Sequence, residues 1–204
     1  MGTIYSTNDE VKTQPIAELV EDHQISAEEV EAVDALLEVV RRHAPELKDQ
    51  ARMDAKVLAS MRAAEVQANK TILMRALAAV GAERAVVSYE GDGDSGGVES
   101  VSITPISALQ AAESRKVVLV SVDFEWYRGR DTHVVVRQHS LLNGLSSFVD
   151  GALLGHLGHS GYENNEGGYG EVTFTVDLTK KGGGTIDVAH SDRVVETVDT
   201  THTL

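Results

Sequence analysis

The chain has 204 residues, a formal net charge of −14, no cysteine and only 4% aromatic residues. A length of this order fits one domain, or one domain with an appendage, and 42% hydrophobic with 25% charged residues is the balance of a chain that folds. The lack of cysteine excludes disulfides, thiolate zinc sites and cysteine nucleophiles, while the acidic balance and scarce aromatics argue against direct binding to a phosphate backbone or stacking on bases.

Residues 1–25 are polar, with Pro15 and a short Ile16, Leu19, Val20 cluster, and read as a flexible tail. Met1–Glu18 lacks a basic region followed by an apolar run, and no stretch approaches the roughly 18 apolar residues of a membrane span. The expected location is therefore the cytoplasm. Ser26 and Glu29 have the spacing of a capping box and predict a helix start. Val30, Val33, Leu37 and Val40 follow at helical spacing, with Arg41, Arg42 and His43 where the helix dipole favours cations, and Pro45 is expected to close the helix.

From Leu47 to Val80 the sequence has neither Gly nor Pro and keeps an apolar period of three to four, predicting one long helix or two end to end, capped by Gly81. Residues 26–81 thus read as a helical hairpin that projects or forms a homodimer. After Gly81 the period becomes two. Ala85, Val87 and Tyr89 alternate with Val86, Ser88 and Glu90, and a glycine-rich turn over Gly91–Gly97 leads to a return strand from Val98 to Ile103. Lys116–Tyr127 and His133–Arg137 predict a second hairpin. Leu141–Leu157 reads as a helix weakened by Gly144, Gly151 and Gly155, Gly158–Gly170 as a loop, and Glu171–Leu178, Thr185–Ala189 and Val194–Thr201 as three short strands. The expected fold class is α+β: an N-terminal helical hairpin, then, over residues 82–204, an antiparallel sheet of hairpins with one packed helix.

Two glycine-rich segments carry the candidate chemistry. In the first, Asp92, Asp94 and Glu99 are closely spaced carboxylates that suit a hard cation, although the spacing does not fit an EF-hand and a hairpin turn needs the same composition. In the second, His156 and His159 with Glu163 or Glu166 offer imidazole and carboxylate donors of the kind that hold zinc or iron. Its amide, carboxylate and phenol groups, Tyr162, Glu163, Asn164, Asn165 and Tyr169, also suit a binding edge. Ser95 lies in a Gly-Asp-Ser-Gly-Gly run similar to the nucleophile loop of chymotrypsin-like proteases, but the largely helical region before it supplies only His23 and His43 as bases. His133, His139, His190 and His202 have no catalytic setting in the sequence, and neither a Walker nor a Rossmann motif occurs.

The runs Val87–Glu99 and Tyr162–Phe174, with the histidine-bearing end around His190 and His202, resemble uncharacterised bacterial proteins of plasmids and other mobile elements, over roughly the latter three-fifths of the chain. The resemblance implies a bacterial or phage setting and carries no activity across. The reading that charge and composition favour is a non-enzymatic, acidic interaction protein. Its partner would be a protein with a basic surface, such as a component of a nucleic-acid-handling defence or anti-defence system, with no cofactor. The alternatives are a metal-dependent hydrolase or nuclease, with a divalent ion on Asp92, Asp94, Glu99, His156, His159 and Glu166, and a homo-oligomeric structural module.

Overall fold

A computed structural model describes residues 3–6, 26–49, 55–125, 131–159, 161–162 and 165–194. In chain order these form β1 (Thr3–Ser6), α1 (Ala27–Asp49), α2 (Ala55–Ala79), β2 (Arg84–Gly93), β3 (Ser95–Thr104), α3 (Ile106–Ser114), β4 (Lys116–Glu125) and β5 (Asp131–Ser140). There follow α4 (Leu141–Phe148), a π-helical turn (Val149–Leu153), α5 (Leu154–Leu157), β6 (Asn165–Val176), a short 3-10 turn and β7 (Gly184–Asp192). The class is α+β, as the change of period predicts, but the strands make two antiparallel sheets and not one. Their orders are β1-β5-β4 and β3-β2-β6-β7.

The capping box forms as the spacing requires: the Glu29 carboxylate accepts from the Ser26 amide at 2.6 Å, and the Ser26 hydroxyl accepts from the Glu29 amide at 3.3 Å. The buried seam of α1 is Val33, Leu36 and Val40, with Leu37 only partly covered. The helix does not end at Pro45 but runs on to Asp49. A proline removes one amide hydrogen bond, and the helix-favouring Glu46, Leu47 and Lys48 after it outweigh that loss.

Helix α2 ends at Gly81 in the predicted manner. Gly81 takes φ +75°, its amide donates to Ala78 and the Ala82 amide donates back to Leu77, the paired bonds of a Schellman cap. The helix does not project. Met61, Ile72, Leu73, Met74, Ala76 and Leu77 are all at most 1% exposed, and α2 touches α1, β4, α4 and β6. Consecutive apolar residues such as Ile72-Leu73-Met74 cover more of the helix surface than one neighbouring helix can bury, so the sheets must close around it. The lone buried amide on α2 has a distinct role. Asn69, 2% exposed, donates to the Val120 carbonyl at 2.7 Å and accepts from the Val120 amide at 2.8 Å; the Glu65 carboxylate accepts from the Val122 amide. Side chains of α2 therefore satisfy the outer edge of β4 as a further strand would.

Three more differences from the sequence reading have local causes. Thr3–Ser6 is not tail but pairs antiparallel with residues 133–136 of β5, in keeping with the β-branched and aromatic Thr3-Ile4-Tyr5. Helix α3, between the two hairpins, was not expected; its apolar signal is short, with only Ala108 and Ala112 buried. Gly144 does not weaken α4 but lets it approach the sheet, since a Cβ there would lie 2.7 Å from Val117 Cγ2. The rest of the predicted tail, the turn at 126–130 and the predicted strand beyond Val194 lie outside the described residues.

Candidate functional site

The site is built on the four-stranded sheet, whose period-two sequences send adjacent residues to opposite faces. On β2, Ala85, Val87 and Tyr89 are buried, whereas Val86 and Ser88 are partly exposed and Glu90 exposed. The partner positions on β6 follow, with Val172 and Phe174 inside and Tyr169 and Glu171 outside.

The two glycine-rich segments meet along this sheet. The first is strand almost to its tip: Gly91 pairs with Gly96 and Asp92 with Ser95, leaving a tight turn at Gly93 and Asp94. The second begins its strand at Asn165, five residues before the predicted loop was expected to end, because Gly91 pairs with Gly168 and Gly93 with Asn165. Glycine is required where they touch. Gly167 has φ +76°, and a Cβ there would fall on the Gly91 carbonyl. Arg193 fastens the junction from beyond β7: its amide donates to the Gly167 carbonyl at 3.1 Å, its Nη1 to the Gly91 carbonyl at 2.8 Å, and its Nη2 pairs with the Glu90 carboxylate.

Inside the sheet, Tyr89, Gly170 and His190 form one cross-strand row. A Cβ on Gly170 would lie 2.5 Å from the Tyr89 hydroxyl, so the absent side chain is what lets the tyrosine reach over β6 to β7. Its hydroxyl lies 2.8 Å from His190 Nδ1, and His190 Nε2 lies 3.0 Å from Asp192 Oδ1. A carboxylate only accepts, so Nε2 carries the proton and, on the neutral ring, Nδ1 accepts from the tyrosine. His159, just past the α5 cap, packs its ring 4.1 Å from that of His190. Tyr162 sets its edge against Tyr89 and donates to Asp150 at 2.8 Å. Burial, with the Asp192 charge second, holds the Tyr89 hydroxyl above its ordinary pKa. Tyr89 is only 1% exposed and the His190 side chain is buried, so the tyrosine and histidine fix the end of the sheet, and only the Asp192 carboxylate at the end of the chain of groups stands in solvent.

Outside, directly behind that row, lies an open cleft of about 320 Å³ lined by Ser88, Glu90, Glu99, Tyr169, Glu171 and Ser191 among others. Glu99 reaches it because it is the extra residue of a bulge: Ser88 pairs with Ser100 and Tyr89 with Val98. Tyr169 is 49% exposed, and the Arg193 guanidinium stands 5.6 Å over its ring.

The residues proposed for a metal do not gather. Asp92 and Asp94 are exposed at the hairpin tip, Glu99 is on the outer face, His156 is exposed on α5 and His159 is inside against His190. Glu166 lies on β6, and its side chain is outside what is described. Among the described residues no three His, Asp or Glu side chains are placed to hold an ion. Of the predicted binding edge, Tyr169 is on the open face, whereas Tyr162 is buried and bonded to Asp150; Asn165 opens β6, and Glu163 and Asn164 lie outside the described residues. Sequence reasoning missed His190 with Asp192, although a spacing of two on a strand puts both on one face. It also missed Glu90, Glu171 and Arg193.

The chain belongs to the family of unknown function DUF6878, whose model matches residues 65–204. No curated protein and no solved structure matches it. The matched span includes both glycine-rich segments and every residue of the cleft. Among the described residues no helix is long and apolar enough to cross a membrane.

Proposed function

We propose that this family member is an interaction protein whose acidic outer sheet face docks a basic surface of a protein partner. The observation that carries the reading is the cleft itself: Glu90, Glu99 and Glu171, from three neighbouring strands, line it together with the exposed ring of Tyr169. Exposed tyrosine rings are frequent anchors of a protein interface, with polar groups at its rim, and a chain of net charge −14 draws a basic partner by long-range attraction. The setting we propose is bacterial, on a plasmid or phage, and the partner a component of a nucleic-acid-handling system whose own ligand is anionic. This extends the likeness of the Val87–Glu99 and Tyr162–Phe174 segments to proteins of mobile elements.

The test is capture of partners by the wild-type chain beside a Glu99→Gln, Glu171→Gln double variant, followed by titration of the purified partner against salt. The partner should be basic, should bind about tenfold more weakly to the variant, and should release steeply as ionic strength approaches about 0.3 M. A partner held equally by both chains, or indifferent to salt, overturns the reading.

A further inference from the structure

Resting on that docking reading, the geometry points to the guanidinium of an arginine, and not a lysine ammonium, as the group the outer face takes from its partner, with Arg193 as the chain's own occupant of the seat in the free state. The face supplies what distinguishes the two cations. A guanidinium is planar, weakly hydrated and able to lie on an aromatic ring while donating in its plane to carboxylates, whereas an ammonium is a compact, strongly hydrated point charge.

The seat has both parts in register. Glu90 is the direct cross-strand partner of Tyr169, and Glu171 is two residues along the same strand on the same face, so the ring is flanked by carboxylates along the strand and across it. Glu99 reaches in from the bulge on the far side of β2. Ser88 and Ser191 add hydroxyls to the lining, beside Ala189 and Gly170, which offer little length for a lysine stem to lie along.

Arg193 displays the recognition inside one chain. Its guanidinium stands over Tyr169 and pairs with Glu90, with its side chain about one-third exposed. Its Nη1 stays on the Gly91 carbonyl, but the pair with Glu90 is open to water and weak, so that an incoming cation can compete for the carboxylate and the ring. An incoming arginine can therefore take the ring and Glu90 from Arg193, or share the ring and use Glu99 and Glu171. Arg84 provides a control on the same face: it belongs to the outward set of β2, donates to the Thr173 hydroxyl and is remote from Tyr169.

The experiment is calorimetric titration of the full chain, at low salt, with a short glycine-serine peptide carrying arginines and with its lysine counterpart. The arginine peptide should bind about fivefold more tightly, the factor that an exposed cation–π contact supplies. Arg193→Gln should raise its affinity by about a further fivefold, while Arg84→Gln, which removes the same charge elsewhere on the face, should raise both peptides equally and by less. Tyr169→Leu should bring the two peptides together, and it carries the test should Arg193→Gln loosen the glycine junction. Equal binding of the two peptides to the wild-type chain overturns the inference, as do equal gains from the two arginine substitutions. Should both peptides bind alike and weaken with Glu99→Gln and Glu171→Gln, the docking reading stands and the arginine specificity falls. Should neither bind, both fall.

Discussion

Two rows of the same sheet, one residue apart, do opposite things. Tyr89, Gly170 and His190 face inward, where a missing side chain on the middle strand lets a tyrosine span it and a histidine relay its bond to Asp192. Glu90, Tyr169 and Ser191 are their immediate neighbours in sequence and face outward, where the ring stays half exposed and the carboxylate pairs with an arginine from beyond the sheet. The inner row spends its polar groups on one another and the outer row leaves its groups to solvent. Chemistry-bearing residues are present in both: the inner tyrosine and histidine are buried, with only Asp192 at the end of the relay exposed, whereas the outer set opens into the cleft.

The most severe way to break the inner row is Gly170→Ala. The added methyl would overlap the Ala189 carbonyl and the Tyr89 hydroxyl, and the loss of stability should be about 3 kcal/mol, read from urea unfolding midpoints. The other sheet offers a comparable case of a polar group spent internally. Asn69→Ala would leave both the amide and the carbonyl of Val120 without their partner, and should cost about 2.5 kcal/mol by the same measurement.

Tyr89→Phe keeps the ring and removes only the hydroxyl, so the expected loss is about 1 kcal/mol near neutral pH. Its pH dependence sharpens the contrast. Because burial raises the tyrosine pKa in the folded chain, the fold holds that proton more tightly than the unfolded chain does. The associated stability is whole below about pH 10 and declines as the pH rises through the folded-state value. Unfolding midpoints of the wild type should fall more steeply above about pH 10 than those of Tyr89→Phe, and parallel curves would show that the inner hydroxyl is not held as described.

The outer row should respond in the reverse manner. Glu171→Gln or Tyr169→Leu should shift stability by less than about 0.5 kcal/mol while weakening the partner. A large stability effect from either would erase the distinction between the two rows.

Much of the scaffold is legible in residue order because it depends on neighbours within a few positions. Ser26 with Glu29, Gly81 after an apolar helical run, and Ala85, Val87 and Tyr89 at alternate positions each announce local hydrogen bonding or a buried face, and each forms. Pro45 and Gly144 mislead because a single-residue cost is outweighed by its surroundings: by the helix-favouring residues that follow Pro45, and by the close approach to Val117 of β4 that Gly144 permits. The glycine-rich segments mislead differently. Their composition suits a free turn, yet glycine is needed because two strands, more than seventy residues apart in the chain, press backbone on backbone at Gly91 and Gly167. The described residues proposed for a metal are dispersed for a related reason: Asp92 and Asp94 stand at the hairpin tip, Glu99 faces outward from a bulge, and His156 and His159 sit on and just past α5.

By itself the sequence determined the acidic charge, the α+β class, the helix cap at each end of the helical region and the inward face of β2, all set by composition or by contacts a few residues long. Tertiary structure alone decided that α2 is central and seals β4 through Asn69, that Tyr89 spends its hydroxyl on His190, and that Glu90, Glu99, Glu171 and Tyr169 share one open cleft. Those outcomes depend on register between distant strands, which fixes the facing partners of every side chain and which no local period encodes.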